Sequence, residues 1–213
     1  MKTMKNLITI FITSILINTS VLFVFAGEPV FSPEEHCLAY KTEKTVFFFF
    51  DEVEVVGKSC EVTAIMRWND SGEQAQVEVR VPVTSFDSGN FVRDSDISGI
   101  LRAELTPNIR FISNWLSRTD LQKMLENQTK EVSGNLEVAG NTFPVKFPLN
   151  SNGQGKFFLI ESQLITSFSA LKVEVPTVGP GGLLAEPGDY LELLVHLRSD
   201  KFTGVDKVIT KNE

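Results

Sequence analysis

The side chains in this sequence whose types could do chemistry are His36 beside Cys37, Cys60, Arg93 beside Asp94, and His196. A histidine next to a cysteine has the composition of a thiolate nucleophile and its base. In an extended segment, however, neighbouring side chains point to opposite faces, so His36 and Cys37 do not address one substrate together. Cys37 and Cys60 are the only cysteines. In an oxidising compartment they read as one disulfide, worth about 3 kcal/mol by loop entropy, with two buried free thiols as the alternative. No CxxC spacing occurs, so neither a redox dithiol nor a zinc site is indicated, and no metal or other cofactor is expected. HExxH, GxSxG, P-loop and dinucleotide fingerprints are absent. His196 sits between Val195 and Leu197 and shares its face with Glu192 and Arg198, which predicts an exposed strand histidine.

Arg93 and Asp94 carry the most specific chemistry. The planar guanidinium fork of Arg93 matches an oxyanion or a polar lipid head group. The other reading is structural, with Asp94 capping a helix and Arg93 pairing with a neighbouring acid or carbonyl. The elements around them are well marked. Val77, Val79, Val81 and Val83 alternate with Glu78, Arg80, Pro82 and Thr84, which makes a half-apolar strand ending at Phe86. Asp87, Ser88 and Gly89 supply turn chemistry. Ile97, Ile100, Leu101 and Leu105 then fall at helical spacing, predicting a helix over 94–104 that Thr106-Pro107 terminates. Ile109, Phe111 and Trp115 open a further extended segment.

Most of the remaining chain reads as short strands separated by turn residues. Strands are expected over 45–51, 53–68, 74–86, 109–117, 130–138, 142–149, 157–168 and 190–198, with a second helical turn over 119–127. Short connections such as 69–72 and 139–141 make neighbours antiparallel. About eight antiparallel strands close into a barrel whose interior is filled by side chains or holds one ligand. The expected fold is therefore all-β, a lipocalin-like closed barrel with one or two short helices. Residues 178–188, rich in glycine and proline, read as a long surface loop, either an ordinary connection or a lid at a barrel mouth.

Seventeen phenylalanines stand against two tryptophans and two tyrosines. In the run 47–50, alternation sends Phe47 and Phe49 to one face and Phe48 and Phe50 to the other. The expected interior draws on Phe47, Phe49, Val62, Ala64, Met66, Trp68, Val79, Val81, Phe111, Leu193 and Val195. Ala64 is placed there as a small residue that opens space. Such an apolar lining suits a hydrocarbon ligand, or it is a filled core, and periodicity does not separate the two.

Two lysines within the first five residues, an apolar stretch to Phe25 and Ala26 at its end have the pattern of a secretory signal peptide over 1–26. An uncleaved anchor is the alternative, because the stretch is long enough to span a bilayer. Cleavage leaves 27–213 as one domain with 18 basic against 27 acidic residues, a formal charge of −9. That balance disfavours nucleic acid and anionic membrane surfaces as partners. A periplasmic or secreted location follows, with the chain as a monomer or homodimer.

The order Ser88-Gly89-Asn90, Arg93-Asp94, Pro107, Ile109-x-Phe111 resembles the YceI-like family of bacterial exported lipid-binding proteins. Residues 134–140, 145–148, 168–176 and 188–197 are similar to its later segments, so the resemblance covers about 38–199. The sequence departs from the family pattern at 40–45, where an Asp-x-x-His-Ser type segment is usual, and at Asp96, where many members have histidine. The resemblance implies a carrier that holds a polyisoprenoid or isoprenoid quinone in the barrel without covalent chemistry; the two departures stand against carrying over the family's polar head-group contacts, so Arg93 as a head-group contact rests on its own chemistry alone. The competing functions are a filled-barrel structural or envelope-stress interaction protein, and an enzyme acting on a lipid. An enzyme would need convergent titratable groups in the pocket, and the expected interior offers almost none.

Overall fold

The computed structural model describes residues 29–46, 51–125, 130–154, 156–176 and 185–209. The expected signal segment, the phenylalanine run with Phe47 and Phe49, and residues 178–184 of the expected loop lie outside the described residues.

The strands are β1 (Cys37–Val46), β2 (Asp51–Ser59), β3 (Thr63–Trp68), β4 (Gln74–Pro82), β5 (Asn108–Ser113), β6 (Leu116–Ser117), β7 (Lys130–Val138), β8 (Asn141–Gly153), β9 (Phe158–Ser167), β10 (Ala185–Arg198) and β11 (Phe202–Thr203). Helices α1 (Phe91–Ile100), α2 (Arg118–Leu125) and α3 (Asp206–Ile209) interrupt them. The sheet runs β11-β3-β4-β5-β7-β8-β9-β10-β1-β2, with β6 beside β4. Its ladders are antiparallel except β11 on β3.

Two sequence expectations are corrected here. The sheet is an open, curled half-barrel: among the described residues no ladder joins β2 to β11, where a closed barrel of about eight strands is expected. β2 is instead tied to the segment after β4 by a single bridge, Lys58 N to Asp87 O and Asp87 N to Lys58 O, both 2.9 Å. The strand expected over 53–68 is two strands. It breaks at Cys60, which is bonded to Cys37 across a separation of 23 residues and so turns the chain at the end of β2.

The helix also starts earlier than expected. Asn90, in extended conformation, accepts from Val92 N and Arg93 N at 3.1 and 3.2 Å and is the N-cap of α1. Asp94 therefore lies inside the first turn, and its carboxylate instead accepts from Ser88 N at 3.1 Å and from the Ser88 hydroxyl. The last four residues of the loop expected over 178–188 belong to β10.

Alternation sends valines of β4 inward and its charges outward. Outward Glu78 is only 3% exposed beneath Arg67, Arg80 and Arg110, which lie 2.6, 2.5 and 2.7 Å from its oxygens. Hydrogen bonding to Arg110 and Arg80 and the charge of Arg67 hold its pKa down at about 2 against the opposing effect of burial. Arg110 continues the chain of charges to Glu137 on β7 at 3.2 Å.

His196 does point outward from β10, but it is buried, not exposed. Residues 29–36 fold over that face. Phe31 stacks on the His196 ring at 5.0 Å, the Glu161 carboxylate accepts from Nδ1 at 3.0 Å, and Lys58 and Arg198 tie down Glu35 and Glu34. Sequence alternation finds the face of a strand; it does not show what a preceding segment lays over it.

Candidate functional site

Strand register assembles the inner surface. Val195 on β10 stands opposite Leu38 on β1 and Ser162 on β9, and Leu193 stands opposite Tyr40 and Leu164. Val79 on β4 faces Phe111 on β5, and Phe111 faces Leu136 on β7. Because side chains alternate, these residues share the concave face. All of them except Ser162 and Leu164 line a cavity of about 270 Å³.

One end of the cavity is packed shut. Met66, Leu116, Leu121 of α2, and Phe202, Val205 and Val208 around β11 and α3 form a continuous buried cluster there. Gly204, at φ +84°, lets that segment turn beneath β3, with its carbonyl accepting from Trp68 Nε1 at 2.9 Å. A second cluster, built on Leu136, Val138, Phe168, Leu171 and Val173, packs against Ile100 and Leu101 of α1. The charged residues of the lining are Glu43, Lys44 and Arg93. Charged groups stay where water reaches them, so the rim between α1 and β1 is where the cavity meets solvent. The β-bulge between Thr42 and Lys44 breaks strict alternation and lets both Glu43 and Lys44 border it.

The residues predicted for the interior divide into three groups. Met66, Val79, Val81, Phe111, Leu193 and Val195 line the cavity. Val62, Ala64 and Trp68 do not. Ala64 is buried opposite Phe202 of β11, so its small side chain admits that strand rather than a ligand. Val62 precedes β3 and packs on the same cluster, and Trp68 is held by Gly204 and by the Arg118 guanidinium 4.6 Å from its ring centre. Phe47 and Phe49 lie outside the described residues.

Arg93 reaches the lining, but it is already engaged. Its Nε donates to Ser88 Oγ at 2.7 Å and an Nη donates to Ser88 O at 2.6 Å, while Asp94 holds the other side of Ser88. This pins the start of α1 to the turn before it. Cys37 and Cys60 form the disulfide, so no thiol remains there. His36 Nδ1 accepts from Arg198 N at 3.0 Å, and burial pulls its pKa down. Neither histidine is a ligand-facing group.

Sequence reasoning missed Tyr40, Phe86 and the α1 residues Ile97 and Ile100 as part of the lining. Tyr40 lies across the backbone of Gly57, its cross-strand partner, where a Cβ would fall 2.2 Å from its ring. Its ring also meets Phe86 at 5.7 Å. Among the described residues the buried Tyr40 hydroxyl has no partner at full hydrogen-bond geometry, and burial pushes its pKa up to about 12 against the opposing effect of nearby Ser88. The signal for this position was available in the alternation Leu38, Tyr40, Thr42, but two of those residues carry hydroxyls and dilute the apolar pattern. The other hydroxyls at the wall are satisfied within the protein: Thr42 Oγ1 donates to Tyr190 O at 2.8 Å, and Ser199 Oγ accepts from Phe158 N at 2.8 Å.

The inward side chains Val77, Val79, Leu193 and Val195 are only partly buried although they face the centre of the sheet. In a close-packed core such residues lose nearly all accessible surface. Their remaining surface faces the cavity, so the side chains of the described residues do not fill the interior.

Comparison with known proteins gives a consistent outcome. A model of the YceI-like domain matches residues 39–179. No curated protein matches the sequence. Among solved structures, BcnA from Burkholderia cenocepacia is similar at TM-score 0.56 and 17% identity, over 76% of this chain and 95% of that one. A polyisoprenoid binding domain from Saccharophagus degradans, implicated in plant cell wall breakdown, is similar at TM-score 0.58 and 11% identity, over 76% and 92%.

Proposed function

Because the chain belongs to the YceI-like domain family, we propose that it is an exported carrier that holds a long apolar lipid, a polyisoprenoid or isoprenoid quinone, in the cavity of its curled sheet. The observation that carries this is the apolar cavity bordered by inward residues that retain accessible surface. Removing hydrocarbon from water supplies the binding energy, about 0.8 kcal/mol for each buried CH₂. Polar groups in the lining are few and mostly paired within the wall, which suits a ligand recognised by shape and apolarity.

No covalent step is proposed. The titratable groups of the lining are Tyr40, Glu43, Lys44 and Arg93, and Arg93 is committed to Ser88. Acid–base or nucleophilic chemistry requires such groups to converge on a reacting atom, whereas Tyr40 is buried against Gly57 and Phe86 and the other three lie along the rim. The polyisoprenoid named for the Saccharophagus domain supports the ligand class by likeness of fold. The pattern of residues 1–26 supports export, as does the disulfide, which persists in oxidising compartments.

The test is mass spectrometry of organic extracts of the protein purified without detergent from the compartment in which it accumulates. A stoichiometric isoprenoid establishes the carrier function and names the ligand. A clean extract, together with no uptake of added polyprenyl lipids by the folded protein, overturns it.

A further inference from the structure

We infer that the cavity rim is also a docking surface for a net-neutral lipid bilayer, formed by Phe91 and Val92 of α1 and Val53 of β2. The inference rests on the lipid-carrier function above. Phe91 is 84% exposed, Val92 52% and Val53 40%. Isolated exposed apolar residues are ordinary on protein surfaces. These are placed where the cavity wall ends.

The helix defines the first side of the rim. Its inward residues are Arg93, Ile97 and Ile100, all in the cavity lining. Successive helical residues turn by about 100°, so Phe91 projects from the side opposite Arg93 and Val92 from the flank between them. One short helix thus has a face on the cavity and an apolar outer end on solvent. The second side is β2. Val53 and Val55 share a face of the strand, and Val55 is 6% exposed within the lining. Val53 lies further toward the strand's end, opposite Lys44 of the rim. The Lys58–Asp87 bridge links β2 to the segment leading into α1. Exposed apolar side chains therefore stand just outside the cavity wall on both sides.

Charge selects the partner. Lys44 and Arg93 at the rim are matched by Glu43 and Asp94, and the whole chain is acidic at −7. An anionic bilayer would repel such a molecule, and the rim offers no cationic excess to offset that. A net-neutral bilayer accepts the exposed phenylalanine and valines and presents hydrocarbon chains directly to the cavity.

The experiment compares the purified protein with Phe91→Ser/Val92→Ser, two positions outside the cavity lining whose exposure makes the change compatible with folding. Phosphatidylcholine vesicles, and vesicles with added phosphatidylglycerol, are used for co-sedimentation. Transfer of a fluorescent polyprenyl lipid between vesicles is timed, and uptake of a soluble fluorescent apolar dye reports the cavity alone. The wild type should sediment with phosphatidylcholine vesicles more than with anionic ones. The variant should lose about tenfold in vesicle association and transfer rate, with dye uptake unchanged. Equal sedimentation and transfer by both proteins overturns the docking surface, as does a wild-type dimer that the variant lacks, which would make a second copy the occupant. Vesicle association that depends on Phe91 and Val92 without any dye or lipid uptake supports the docking surface and defeats the carrier function separately.

Discussion

Val195→Trp distinguishes an open interior from a filled one within a single variant. Val195 lies toward the C-terminal end of β10, flanked across the ladders by Leu38 and Ser162, and it lines the cavity. In an open interior the indole occupies space that otherwise holds ligand. Displacing five carbons of a bound chain removes about 4 kcal/mol at 0.8 kcal/mol per CH₂. That is several hundredfold in affinity, and displacing a third of those carbons still gives about tenfold, at 1.4 kcal/mol per decade. Stability should hold or rise, since the indole buries new apolar surface. In a filled interior the same side chain overpacks the core at a cost of about 1–3 kcal/mol. For a domain of this size that lowers Tm by about 2–12 °C. The assays are uptake of a fluorescent long-chain lipid per mole of folded protein and thermal unfolding by circular dichroism. A folded variant with wild-type uptake and a lowered Tm refutes the cavity argument.

Two stability predictions follow from the charges and the crosslink. Glu78 is held at about 2 from an ordinary value of 4.5, so its stabilisation is complete above pH 4.5 and is lost as pH falls toward 2. The full shift corresponds to about 3 kcal/mol, but its arginine partners are 31–56% exposed, and water screens the contribution to about 1–2 kcal/mol. Acid unfolding curves should therefore converge for wild type and Glu78→Gln below pH 2 and separate above pH 4.5; curves that keep the same separation throughout refute the assignment. Reduction of Cys37–Cys60, which closes a separation of 23 residues, should cost about 3 kcal/mol and lower Tm by about 6–12 °C. An unchanged melting temperature after thiol counting shows complete reduction contradicts this.

What was legible in the sequence depended on how far each residue's role was local. β7 matches its expected bounds because Val132, Leu136 and Val138 alternate with polar residues and both ends carry turn chemistry. The stripe Ile97, Ile100, Leu101 was legible as a helix, since 3.6-residue periodicity depends only on the segment itself. Its start was misplaced because Asn90 and Asp94 are both competent caps, and the choice is made by Ser88, which engages Asp94 from outside the helix. Leu105 matched the stripe by spacing but is 80% exposed, because the helix has ended and Arg102 has turned the chain at φ +55°. Ala64 and Trp68 lie on the predicted inward face but at the packed end. Depth along a barrel depends on which distant element plugs it, here β11 and α3, and alternation carries no information on that.

The open edge of the sheet ties these observations to function. A closed ladder would fix the distance between β2 and its neighbour with a row of backbone bonds. Among the described residues the seam is held at one end, by the Lys58–Asp87 bridge, the 2.6 Å contact of Ser59 Oγ with Ser85 Oγ, and the disulfide that anchors the turn after β2 to the start of β1. Toward its other end β2 carries Glu54, half exposed and ion-paired with Lys41 of β1, and a charged side chain on an edge strand opposes pairing with another strand. The same half of the strand holds Val53 and Val55 at the cavity rim. Constraint is therefore concentrated away from the rim, and β2 is least tied where the cavity opens. Local opening is cheapest where backbone bonds are fewest. Passage of a lipid wider than the resting rim would thus draw on the free half of β2 and leave the crosslinked half and the packed floor in place.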